Sequence, residues 1–156
     1  MFARSLMIAT ALLSGSLHGA TEPAPLRVLT FNLRYINSGD TRNRPCTARR
    51  DQVGAVVAKD QSDIIGIQEG FRSMLDDLQA RVPGYVEIGG GREDGLAKGE
   101  YSALLVKADR FTIQESGTFW LSDTPEVVGS RTWGNQVVRI CTWGKVYDPG
   151  NKSSIQ

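Results

Sequence analysis

The sequence predicts an α/β fold, and three observations carry the prediction. Apolar residues recur at helical spacing in Arg49 to Lys59, as Val53, Val56 and Val57, and again in Phe71 to Val82, as Met74, Leu75, Leu78 and Val82. Between these two stretches, DIIGIQE from Asp63 to Glu69 is almost continuously apolar and bounded by polar residues, as a strand covered on both faces requires. The elements then follow the order strand, helix, strand, helix and several strands. The first two strands are therefore expected to be parallel neighbours joined by a helical crossover.

Residues 1–20 differ in character from the rest. MFAR supplies a positive start, SLMIATALLSG a short apolar stretch, and SLHGA small residues ending at Ala20. This is the pattern of a secretory signal peptide cut near Ala20, with His18 an unusual occupant of the third place before the cut. A buried N-terminal helix is the alternative. The apolar part is too short to span a bilayer, which takes about 20 residues, so no stable membrane insertion is expected.

The first strand is read in Leu26 to Leu33, LRVLTFNL. The helix at Arg49 to Lys59 follows, then the buried strand, then a helix that Pro83-Gly84 stops after Val82. From Tyr85 the pattern turns β: YVEIGG, the glycine-rich loop GREDGLAKG, then YSALLVK, FTIQESGTFWL and NQVVRICTWGKVY. No Gly-Lys-Ser/Thr follows the glycines, so they are read as a mobile loop rather than a phosphate-binding P-loop. No repeat is visible.

Composition excludes several classes of function. The chain has 156 residues, 40% hydrophobic and 22% charged, with a formal charge of +1 that becomes zero if Arg4 is removed with the leader. A single domain with no basic excess has no broad surface for duplex binding, so a phosphate ligand has to be met by a local site. His18 is the only histidine, and cleavage would remove it. A histidine general base, a Ser-His-Asp arrangement and a histidine zinc site are then all excluded. Cys46 and Cys141 could pair in an exported chain, although one pair gives no framework and two free thiols are expected.

Polar residues at the carboxyl ends of strands in open α/β sheets point into the ligand crevice. Glu69 and Asn32 stand at the ends of the two strands expected to be parallel. A carboxylate and an amide on rigid strand ends suit a hard cation such as Mg²⁺ beside a phosphate. By spacing alone, Glu69 could equally be the first solvated residue after a strand.

TFNLR on the first strand, IIGIQEG on the second, GEYSALLVKADRF and SGTFWLSDTPEVVGS with a following Trp together resemble the endonuclease/exonuclease/phosphatase superfamily. The resemblance covers nearly all of Leu26 to Tyr147. It implies a DNase I-like four-layer α/β sandwich, of which this chain would be the N-terminal half, with a mixed β-sheet and helices on one face. It implies a Mg²⁺ (or Mn²⁺) ion on Glu69, and Asn32, the second ligand that the strand ends offer such an ion, helping to bind and orient the scissile phosphate. Tyr101 and Arg139 fall in stretches that approach the cleft in this family. The substrate class implied is a phosphoester: nucleic acid, phosphoinositide or phospholipid head group. The complete protein is expected to be a monomer, secreted or periplasmic.

The departures from the family pattern bear on activity. The His, the Asp-x-Asn pair and the final Asp-His pair of the family's later half have no counterpart before Gln156. Residues 21–156 are therefore expected to form a partial domain lacking its C-terminal half, with little or no turnover of its own. Its one sheet is expected to present a bare face. A catalytically dead remnant and an exported non-catalytic binding module are the alternatives, the second using Trp120, Trp133 and Trp143 as a sugar platform, although core packing is the expected role of all three. Asn151 opens an Asn-Lys-Ser acceptor for a glycan where the compartment permits one.

Overall fold

Among the described residues, nine elements follow one another: β1 (Val28–Asn32), α1 (Cys46–Asp60), β2 (Ile64–Gly70), α2 (Arg72–Arg81), β3 (Tyr85–Ile88), β4 (Tyr101–Lys107), β5 (Thr112–Trp120), β6 (Ile140–Asp148) and β7 (Ser153–Ile155). They come from a computed structural model that describes residues 22–40 and 46–156, without the side chains of residues 46 and 47. The leader read in residues 1–20 lies outside the described residues, as does the side chain of Cys46. Cys141 is a free thiol.

The first sheet has the order β1-β2-β4-β3 and is mixed, β1 and β2 running parallel and the other two pairs antiparallel. α1 makes the crossover between the parallel pair, as the order of elements requires. Both helices lie on one face of this sheet. There Val57 of α1 and Met74, Leu75 and Leu78 of α2 pack with Ile65, Ile67, Tyr101, Ala103 and Leu105 into one core. The alternation of β2 and β4 explains the choice, since residues two apart share a face.

The opposite face corrects one expectation. It is not bare, because β5, β6 and β7 form a second, antiparallel sheet. That sheet meets β3 and β4 through a second core of Ile88, Val106, Phe111 and Val146, with Ile64, Leu104, Ile113 and Ile155 around it. Gly144 allows the close approach: a Cβ there would stand 2.9 Å from the Ile88 side chain. Cover stops short of β1, where Val28 is 64% exposed.

At the other end of the sheets, Arg110 bridges both. Its guanidinium donates to Asp63 before β2 (2.7 Å), to Asp148 at the end of β6 (2.9 Å), and to the carbonyls of Ala24 and Pro25. Ala24 and Asn151 exchange two further bonds of 2.9 Å, Ala24 N–H to Asn151 Oδ1 and Asn151 Nδ2–H to the Ala24 carbonyl. The ends of the described chain are thereby fastened to each other. Among the described residues no helix is long and apolar enough to cross a membrane.

Candidate active site

Strict alternation along β2 would turn Glu69 toward the helices, alongside Ile65 and Ile67. The chain avoids this with a bulge. The pairing of β2 with β4 runs from Gln68↔Ser102 directly to Gly70↔Tyr101, which leaves Glu69 without a partner, and its φ is +56°. A bulged residue in a left-handed conformation re-aims its side chain, at a cost of roughly 1–2 kcal/mol for a residue with a Cβ. Gly70 then takes the core position instead. A Cβ on Gly70 would stand 3.3–3.4 Å from Ile67 and Leu75, so glycine fits there and a larger residue crowds.

Turned out of the core, the Glu69 carboxylate is held at both oxygens. Asn32 Nδ2 donates to Oε1 and the Tyr35 N–H donates to Oε2, each at 3.0 Å. Asn32 is oriented in turn by the Arg34 N–H, which donates to its Oδ1 at 2.7 Å. The Asn32 amide and the Tyr35 N–H hold the Glu69 carboxyl below its ordinary value against the opposing effect of burial, and Arg34 and Arg139 add attraction. Glu69 is therefore a carboxylate at neutral pH.

The turn that supplies these donors is itself braced. Arg34, with φ +57°, and Arg49 of α1 both reach the Asp40 carboxylate, at 2.5 and 3.3 Å, and Arg49 also donates to the Arg34 carbonyl. α1 thus does more than cross over: it fixes the loop that follows β1.

All four residues singled out in the sequence, Asn32, Glu69, Tyr101 and Arg139, line one cleft of about 250 Å³, together with Gln68, Arg92, Glu100, Ser102, Val138 and Ile140. Their parts differ. Arg139 is exposed, with its carbonyl accepting from Leu121 N–H and its cation near Glu69. Arg92 pairs with Glu100 at 3.0 Å. Tyr101 is 2% exposed, lies under the Arg72 guanidinium and donates its hydroxyl to the Leu96 carbonyl, so it forms wall rather than reach. Arg92, Glu100 and Ser102 were not singled out from sequence. Their only signal was membership of the strand and loop that border Tyr101.

The glycine-rich loop differs from expectation. Gly91, Arg92, Glu93 and Gly95 all make backbone hydrogen bonds across it, and Asp94 Oδ1 accepts from Leu96 and Lys98 N–H. Cβ atoms on Gly90 and Gly91 would fall 2.3 Å from carbonyl oxygens. The glycines are needed for close backbone approach, and the loop is cross-braced where an open, mobile one was expected.

For a hard cation the donor set fits in part. Glu69 is ionised and each of its oxygens keeps an unused lone pair, as does Asn32 Oδ1. Mg²⁺ is commonly held by one or two carboxylates, with waters and phosphate oxygens completing its shell. Among the described residues no group of three or more His, Cys, Asp or Glu is placed to hold a metal.

No protein-family model and no curated protein matches the sequence, but solved structures do. An endonuclease/exonuclease/phosphatase from Bacteroides vulgatus is 38% identical with a TM-score of 0.79, over 83% of this chain and 49% of its own. A mannosyl-6-phosphatase of Bacteroides thetaiotaomicron VPI-5482 is 39% identical with a TM-score of 0.79, over 83% of this chain and 49% of its own. D. rerio TDP2, complexed with single strand DNA product, shares the fold at 17% identity and a TM-score of 0.58, over 83% of this chain and 43% of its own. The chain belongs to the endonuclease/exonuclease/phosphatase family, whose relatives are phosphoester hydrolases of DNase I-like fold. It spans about half the length of the solved structures it matches.

Proposed function

We propose that this chain carries the cation-holding part of an exported, Mg²⁺- or Mn²⁺-dependent phosphoester hydrolase. One observation carries the reading: Glu69 is turned out of the core by a left-handed bulge, held ionised by Asn32 and Tyr35, and set near the Arg139 cation. A strained backbone is kept where the surrounding structure imposes it, and such strain concentrates at functional sites.

Glu69 would hold the cation, with Asn32 Oδ1 within the same group of donors. A bound cation polarises a phosphoryl oxygen and neutralises its charge. The chain's own residues do the rest: Arg139 attracts the phosphate, the Asn32 amide keeps the Glu69 carboxylate facing the cleft, and Tyr101, tied to Leu96, closes the wall. The substrate is a phosphoester, whether nucleic acid, phosphoinositide, phospholipid head group or the sugar phosphate for which one relative is named. TDP2 with its single strand DNA product keeps nucleic acid among the candidates. We further propose that these residues alone turn over little, because the described residues offer no histidine to activate water and the second carboxylate of the cleft, Glu100, is paired with Arg92 at 3.0 Å.

Calorimetric titration with Mn²⁺ and Mg²⁺ in the presence of inorganic phosphate tests the reading. Saturable binding is expected, and Glu69→Gln should abolish it in a variant that still melts cooperatively. Equal binding by parent and variant would make Glu69 a bystander. Export rests on residues 1–20, and mass spectrometry of the protein from its host should find an N-terminus at or near Thr21; intact Met1 in the soluble cytoplasmic fraction would refute it.

A further inference from the structure

We propose that Trp133 is a stacking platform for a sugar ring carried on the phosphate that the cleft binds, so that the site takes a phosphorylated saccharide. The inference rests on the phosphoester reading above and adds the substrate class.

The three tryptophans have different surroundings. Trp120 is 5% exposed and donates its indole N–H to the Arg92 carbonyl. The Trp143 indole lies against Gly117, where an added Cβ would stand 3.0 Å from its Nε1. Trp133 is 61% exposed, yet its Nε1 donates to Asp123 Oδ1 at 2.7 Å. Asp123 is gripped in turn, its N–H donating to the Thr132 hydroxyl at 2.7 Å. An indole fixed by its edge and open at its face has little packing role, and leaves a rigid apolar surface in water beside a polar partner.

Position links the platform to the cleft. Leu121 N–H donates to the carbonyl of Arg139, a cleft residue. Asp123 lies two residues beyond Leu121, within about 7 Å along the chain. Hydroxyls of a sugar on the bound phosphate could reach the Asp123 carboxylate, which the Thr132 and Trp133 donors hold below its ordinary value. The same negative charge repels a second phosphate, which disfavours a nucleic acid strand on this platform.

Saturation-transfer NMR on the 156-residue chain with methyl α-mannoside, mannose 6-phosphate and an oligo-dT strand tests this. Transfer to the ring protons of both sugars is expected. It should fall roughly tenfold or more in Trp133→Ala and persist in Trp133→Phe, with the melting temperature unchanged because the indole is exposed. Mg²⁺ should strengthen binding of mannose 6-phosphate alone, and Glu69→Gln should remove that gain without altering the mannoside signal. No transfer from the mannoside, equal transfer in Trp133→Ala, or transfer to thymine that requires Trp133 would overturn the platform. Sugar binding through Trp133 with no contribution from Mg²⁺ or Glu69 would instead leave the platform standing and refute the phosphoester reading.

Discussion

Asn32 Nδ2 donates to Glu69 Oε1 across 3.0 Å, joining the carboxyl ends of two parallel strands whose register sets Asn32 beside Gln68. The bond explains why the amide and the carboxylate occur together. Without the bulge at Glu69 the two side chains would leave the sheet on opposite faces, and the amide would have no carboxylate to hold.

Acid should weaken the fold less when Glu69 is gone. Its carboxyl lies below the ordinary value in the folded chain, first through Asn32 and then through Tyr35. Ionised Glu69 thus favours the folded state above the unfolded value of about 4.3, and that contribution disappears as pH falls through the lowered folded value. Urea midpoints measured from about pH 5 to about pH 3 should fall less steeply for Glu69→Gln than for the parent. Identical slopes would mean that the two hydrogen bonds do not perturb the carboxyl.

At position 69 glycine should be more stable than alanine. The φ of +56° suits a residue without a Cβ, and both substitutions lose the same carboxylate bonds. Glu69→Gly is expected to exceed Glu69→Ala by about 1 kcal/mol in chemical denaturation. The usual order, with alanine ahead, would show that the left-handed bulge is absent in solution.

Arg110→Ala should cost about 3 kcal/mol, because it takes the cation from two carboxylates that are out of water and leaves them with backbone donors, the Arg27 N–H on Asp63 and the Gly150 and Asn151 N–H groups on Asp148. Asp63 and Asp148 side chains are only 7% and 3% exposed. Lys145→Ala breaks a pair whose side chains are 39% and 60% exposed, and should cost less than about 1 kcal/mol. Thermal melts of the two variants give the comparison, and similar losses would count against the buried network.

Hydrolysis of bis-p-nitrophenyl phosphate, plasmid DNA, a phospholipid panel and mannose 6-phosphate by the purified chain with Mg²⁺ or Mn²⁺ is expected to stay near background. Proton transfer by a positioned side chain contributes about 10²–10⁴-fold, and the candidates in the cleft are engaged elsewhere, Glu100 with Arg92 and the Tyr101 hydroxyl with the Leu96 carbonyl. Metal-dependent turnover that Glu69→Gln abolishes would show that the cleft is sufficient as it stands.

Much of the fold could be read in the sequence because it follows apolar spacing. Val53, Met74, Leu75 and Leu78 marked the helix faces, and the run from Ile64 to Ile67 marked the strand they cover. Asn32 and Glu69 were legible as strand ends on one side of a parallel pair. The bulge was not, since Glu69 gives no residue-level sign of a positive φ. The second sheet was legible as strands but not as a layer, because the partner of Gly144 is Ile88, 56 positions away and outside any local pattern. β7 is three residues long and mostly polar, so periodicity could not mark it. Trp133 departs from the core role expected of it for a similar reason: what holds it is Asp123, across a loop.

The paired bonds between Ala24 and Asn151 join residues separated by 127 positions. On the ribosome Ala24 emerges first and must wait for nearly all of the described chain before its partner exists. The strand that carries Asn32 therefore has an unfastened leading end until Asn151 has been made. Asn151 Nδ2 is also the atom that a glycan would occupy in its Asn-Lys-Ser acceptor. In a glycosylating compartment, a sugar transferred before closure would leave Nδ2 a single N–H and set a bulky group against the Ala24 carbonyl, so the timing of modification relative to folding would decide whether the seam forms as described.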